Sequence, residues 1–209
     1  NHWNEKGSEQ MKISQRAQDV PASATIAVTA RAQELKAQGV DVVGFGAGEP
    51  DFDTPDYIKN AAIEALKSGK TKYTPAAGIV DLRKAIAAKL KKENGLDYSP
   101  EQIVVNIGGK HSVYEAMQAV LDPGDEVILP APYWVTYPET IKLAGATANI
   151  VETDASTGYK ITPSQLRDAI TEKTAMLVLN SPNNPGGFTY TPRELKAIAE
   201  VLEGTNVNV

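Results

Sequence analysis

Cysteine is absent from the 209 residues, which excludes disulfides, thiolate nucleophiles and thiolate metal ligands. The same absence leaves the compartment open, with the cytoplasm as the default. Histidine occurs only as His2 and His111, far apart in the chain, which argues against a histidine metal site. No apolar stretch approaches the roughly 20 consecutive residues of a membrane span, so no membrane partner is expected. Residues 1–10 lack the basic start and apolar middle of a signal peptide and read as a disordered leader or expression remnant. A formal net charge of -5 argues against a nucleic-acid partner. Internal repeats and low-complexity tracts are also missing.

What is present suffices for a sizeable core, since 42% of the residues are hydrophobic. Helix and strand signals alternate along the chain. Ser23 is a candidate cap for a helix through Ala30 and Leu35 that Gly39 stops, and residues 40–45 read as a strand. Thr54-Pro55 reads as a cap followed by a first-turn proline, opening a helix that Gly69 closes. Leu82, Ala85, Ile86 and Leu90 keep a helical period across residues 81–92. Residues 103–105 read as a strand leading through Gly108-Gly109 into a helix of about 110–121, which Asp122-Pro123-Gly124 breaks. Residues 126–129 and 146–151 read as strands on either side of a helix across 136–143. Thr162-Pro163-Ser164-Gln165 and Thr191-Pro192-Arg193-Glu194 are capping boxes with proline at the first position.

Strands separated by helices predict an α/β fold: a mostly parallel sheet with helices on both faces. Residues 206–209 read as the opening of one more strand, so the sheet is expected to be incomplete at the C-terminus and the parent protein to be longer.

The chemistry is expected where strands end. The apolar run 175–179 leads into Asn180-Ser181-Pro182-Asn183-Asn184-Pro185-Gly186-Gly187, a polar turn at the carboxyl end of a strand, where open α/β sheets bind ligands. Proline after Asn184 biases that residue toward extended backbone, which fixes the direction of its amide; a helix-entry loop of turn formers has the same composition. Gly108, Gly109 and Lys110, between a strand and a helix, suit either a phosphate cradle or a tight turn. A P-loop would need glycine at 104 and Ser or Thr at 111, where Val104 and His111 stand. Gly44, Gly46 and Gly48 do not match the dinucleotide spacing, and Glu49-Pro50 follows instead of a helix. Trp134 follows the strand 126–129 and either stacks on a flat heteroaromatic ring or packs under a loop. Tyr73 lies in a polar loop, where it is a surface tyrosine or a phosphate donor across an interface. Gly48 is a turn glycine or a point of close backbone approach to a small anion. His111 reads as an ordinary surface or satisfied histidine.

Together the stretches 47–55, 72–78, 108–110, 122–127, 132–134 and 181–185 resemble, in order and spacing, the class I, fold-type I pyridoxal phosphate aminotransferases, in particular the bacterial aspartate aminotransferase branch. The resemblance implies pyridoxal 5'-phosphate as cofactor and amino acids and 2-oxo acids as substrates. It implies that amides around Gly108, Gly109 and Lys110 hold the cofactor phosphate and that Trp134 stacks on its ring. Asn184 would bond the ring's phenolic oxygen and approach the substrate carboxylate, and Gly48 would meet that carboxylate through its backbone. Tyr73 would reach the phosphate of a neighbouring subunit, making the active form a homodimer. Residues 11–53 would form the N-terminal arm and part of a small domain, and 54–209 the first part of the large domain. The Schiff-base lysine, the aspartate facing the ring nitrogen and the substrate-clamping arginines are expected beyond Val209, so these residues alone are expected to be inactive. Gly186 departs from the family, which usually has threonine there; loss of the hydroxyl is expected to loosen the turn. The alternatives are an aminotransferase for aromatic amino acids, alanine or prephenate, and a noncatalytic fragment that binds phosphate or associates through its surface.

Overall fold

The computed structural model describes residues 12–22, 24–44, 46, 48 and 50–209. The leader at 1–10, the Ser23 cap, and Phe45, Ala47 and Glu49 lie outside the described residues. In chain order the elements are α1 (Gln15–Gln18), α2 (Ala24–Ala37), α3 (Asp56–Lys67), α4 (Val80–Lys89), α5 (Gly109–Val120), β1 (Glu126–Pro130), α6 (Thr136–Leu143), β2 (Thr147–Val151), α7 (Pro163–Ala169), β3 (Thr174–Leu177) and α8 (Pro192–Leu202). They fall into two compact units. One is Ala24–Ser112; the other is Val113–Val209 with the described part of Asn1–Ser23.

The sheet lies in the second of these, in the order β2-β1-β3 with all neighbours parallel. Its register places Val127 opposite Ala148 and Met176, and Ile128 opposite Asn149 and Leu177. An irregularity between Glu126 and Val127 leaves Ala175 unmatched. Successive residues of a strand point to opposite faces, and β1 uses both. Val127 and Leu129 pack with Met117 of α5 and Ile141 of α6, while Ile128 and Leu177 pack with Leu166 of α7 and Ile198 of α8. Val127, Ile128 and Leu129 are all buried, and each contributes on the order of 1.5–3 kcal/mol through removal from water. Three consecutive buried apolar residues in a central strand are the pattern of a parallel sheet covered on both faces.

Connectivity explains the two layers. β1 connects through α6 to β2 on one side, and β2 connects through α7 to β3 across β1. Crossovers of one hand running in opposite directions must lie on opposite faces. Both capping boxes form: Gln165 N–H donates to the Thr162 hydroxyl (3.2 Å) and Glu194 N–H to the Thr191 hydroxyl (3.3 Å). Residue 208 makes a parallel bridge to Met176, with Leu177 N–H donating to the Asn208 carbonyl at 2.8 Å. The strand-like reading of 206–209 thus has a counterpart beside β3.

Three local expectations are corrected. Residues 40–44 are irregular, not a strand: Leu35 carbonyl takes the Val40 N–H, and Val43 is exposed. Residues 103–105 are extended but not laddered, because Val105 N–H bonds the Ala77 carbonyl of a loop (3.0 Å). Thr54 does not cap α3; Pro55 is the N-cap residue itself, its carbonyl accepting from Ile58 and Lys59. An apolar run becomes a strand only where a neighbour meets its backbone groups.

Candidate active site

Two of the predicted residues sit together at the carboxyl edge of the sheet. β1 ends at Pro130 and delivers Trp134; β3 is its immediate neighbour and delivers the turn of residues 180–187 that carries Asn184. From there the chain parts. After β1 it enters α6 against one face of the sheet, and after β3 it enters α8 against the other. Such a divergence opens a crevice at the carboxyl ends of adjacent strands, the usual ligand position in open α/β sheets.

Trp134 is half-buried and meets Tyr137 edge-on, with centroids 5.6 Å apart and planes at 88°. Burial pushes the Tyr137 hydroxyl above its ordinary pKa. Asn184 is exposed, and its backbone N–H donates to the Asn180 side chain at 2.7 Å. The peptide bonds 131–132, 181–182 and 184–185, all preceding proline, are cis.

The turn holds without a side chain at Gly186. Its own N–H donates to the Asn183 side-chain oxygen (2.8 Å), Gly187 N–H to the Asn183 carbonyl (2.8 Å), and Asn183 N–H to the Phe188 carbonyl (2.9 Å). Ser181 hydroxyl accepts from Tyr190 N–H at 3.1 Å. Tyr190 is in turn buried, with Ile161 N–H donating to its phenolic oxygen (3.1 Å), and burial raises its pKa. Asn180 and Asn183 were not singled out in the sequence as functional. The available signal was weak: Asn side chains often bond backbone two to four residues away in turns.

The other predicted residues belong to the unit Ala24–Ser112. Gly108 has φ +129°, a backbone state that disfavours any other residue, and its carbonyl accepts from the N–H groups of His111 and Ser112. Gly109 therefore opens α5, and its N–H has no intrahelical acceptor. Lys110 is the second residue of that helix. A Cβ at Gly109 would meet nothing within 4 Å, so the space beside the helix start is open. Asn106 side-chain amide donates to the Ser112 hydroxyl (3.1 Å), bracing the turn from within. Tyr73 is fully exposed on its loop, and Gly48 is exposed.

Within the unit Val113–Val209 the carboxyl edge of the sheet offers an aromatic face, Trp134, and a carboxamide, Asn184. A cavity bounded by Leu129, Pro132, Tyr133, Asn183 and Phe188 measures only about 10 Å³, room for one water and far too small for a ring.

The chain is 57% identical over 183 residues to a probable aspartate/prephenate aminotransferase of Rhizobium leguminosarum bv. phaseoli, covering 88% of this chain and 46% of that protein. It is 51% identical over 191 residues to the aspartate aminotransferase of Geobacillus stearothermophilus, covering 91% and 49%. The structure superposes on the aspartate aminotransferase of Thermus thermophilus with maleate at a TM-score of 0.87 and 51% identity, covering 91% of this chain and 50% of that one. The chain thus spans about half the length of the relatives it matches. Residues 40–209 match the family described as aminotransferase class I and II, and the chain belongs to that family.

Proposed function

We propose that the complete protein transfers an amino group between L-aspartate and 2-oxoglutarate with pyridoxal 5'-phosphate as cofactor. The observation that carries this reading is the delivery of Trp134 and Asn184 by adjacent parallel strands, β1 and β3, whose following helices diverge. Relatives near 50% identity named aspartate aminotransferase support the substrate, and maleate, a four-carbon dicarboxylate, in the Thermus structure supports that class.

In this reading Trp134 presents its indole face to the pyridine ring and excludes water from one side of it. Asn184 donates a hydrogen bond to the ring's phenolic oxygen and approaches the substrate carboxylate, while Gly48 meets that carboxylate with its backbone. The amides at Gly108, Gly109 and Lys110 hold the phosphate where the helix dipole favours an anion. When bound, the cofactor supplies an electron-withdrawing ring and the carbon that carries nitrogen between the two acids. Tyr73 reaches the phosphate of a second copy, so the working form is a homodimer. Residues 11–53 contribute an arm and part of a small domain, and 54–209 begin the large one. In this reading the lysine that bonds the cofactor and the arginines that grip the substrate belong to the part of the relatives' length that this chain does not span.

A second reading takes prephenate as the acceptor, which the names of the Rhizobium relative and of a 55% identical Cereibacter sphaeroides protein favour. Both readings are tested by adding single amino acids to the cofactor-loaded complete protein and following the cofactor's absorbance. Aspartate is expected to change the spectrum fastest. A silent response to aspartate with a rapid one to aromatic amino acids or alanine would replace this assignment. Prephenate and 2-oxoglutarate are then compared as acceptors.

A further inference from the structure

We propose that Asn183 is a positioning residue of the ring site, joining the turn that carries Asn184 to the loop that carries Trp134. This rests on the reading of that edge as the pyridoxal phosphate site. The Asn183 carboxamide uses both ends. Its oxygen accepts from Gly186 N–H (2.8 Å) and closes the turn; its nitrogen donates to the Pro132 carbonyl (3.1 Å), 51 residues earlier in the chain. Pro132 is two residues before Trp134, and Asn184 is the next residue after Asn183. One half-buried side chain therefore sets the separation between the stacking group and the hydrogen-bonding group. The Asn180 side chain, which accepts from Asn184 N–H (2.7 Å), pins the other side of the same residue.

Asparagine serves both ends with one carboxamide. Aspartate keeps an oxygen for Gly186 N–H but opposes the Pro132 carbonyl with a second acceptor. Asn183→Asp thus separates the two functions: the turn survives and the tie to the Trp134 loop is lost. A purely local structural role would be rescued by aspartate.

The test uses the complete protein, Asn183→Asp and Asn183→Ala. Without cofactor, acrylamide quenching of Trp134 is read as the difference from the matching Trp134→Phe protein. With cofactor, the pyridoxal phosphate dissociation constant is measured by equilibrium dialysis, and melting temperature is recorded alongside. Both variants are expected to change Trp134 quenching and to weaken the cofactor about three- to tenfold, the effect of one neutral hydrogen bond. Asn183→Asp keeps the Gly186 bond and is expected to melt above Asn183→Ala, so it carries the test if Asn183→Ala fails to fold. Parent-like quenching and affinity in Asn183→Asp overturn the proposal. If the parent itself takes up no pyridoxal phosphate, the functional reading fails, and the tie is judged by quenching alone.

Discussion

Phe188 occupies the space that a side chain at Gly186 would need. A Cβ there would lie 2.5 Å from Cε1 and 2.7 Å from Cδ1 of the ring, and 3.1 Å from the Asn183 side-chain oxygen. The glycine and the phenylalanine therefore belong together in this chain.

Gly186→Thr is therefore expected to destabilise the protein by about 1–3 kcal/mol through overpacking. In a Phe188→Ala background the same change should cost less, with a coupling of about 0.5–3 kcal/mol. Urea unfolding of the four proteins measures both. Equal costs in the two backgrounds would show that Phe188 does not set the preference.

Leu129→Ala should be among the most damaging single changes. Leu129 is buried in the central strand and packs against the α5 and α6 layer, so the substitution is expected to cost about 2–5 kcal/mol. Denaturant unfolding reads it directly. A cost below about 1 kcal/mol would mean that this face of the sheet is not the core described.

These contacts show where sequence patterns stop being informative. Residues 126–129 were readable as a strand because Val127, Ile128 and Leu129 are consecutive apolar residues in a strand covered on both faces. The capping boxes at Thr162 and Thr191 were readable because they close within four residues. Residues 40–44 and 103–105 have similar apolar character but no laddering neighbour, and pairing is not written in a short run of valines and isoleucines. At the site, Trp134 and Asn184 could be named separately from their motifs. Asn183 could not, because its partner Pro132 is 51 residues away and only the β1–β3 pairing brings the two loops together.

Glu194 provides a pH signature. The Lys160 ammonium beside it, followed by the Thr191 N–H and hydroxyl, holds its carboxyl down to about 2. A carboxylate lowered by folding stabilises fully above its unfolded pKa, near 4.5, and loses that contribution as pH falls through about 2. Stability should accordingly decline across this acid window. Glu194→Gln keeps the capping acceptor and should flatten part of that decline, most visibly at low salt. Thermal melts of both proteins from neutral pH to pH 2 check this; parallel curves would contradict it.

Asn184→Ala separates binding from folding. The side chain is exposed, so stability should change by no more than about 0.5 kcal/mol. Pyridoxal phosphate affinity should nevertheless fall about three- to tenfold. Equilibrium dialysis with a parallel melt distinguishes the two effects, and unchanged affinity would remove Asn184 from the site.

The central claim is amino transfer by the complete protein, and the most direct measurement follows the nitrogen. The complete protein is incubated with pyridoxal phosphate, ¹⁵N-labelled L-aspartate and unlabelled 2-oxoglutarate, and the products are resolved by mass spectrometry. The account predicts labelled glutamate and oxaloacetate in equal amounts, dependent on the cofactor. Label that stays in aspartate while 2-oxoglutarate is unconsumed would contradict it.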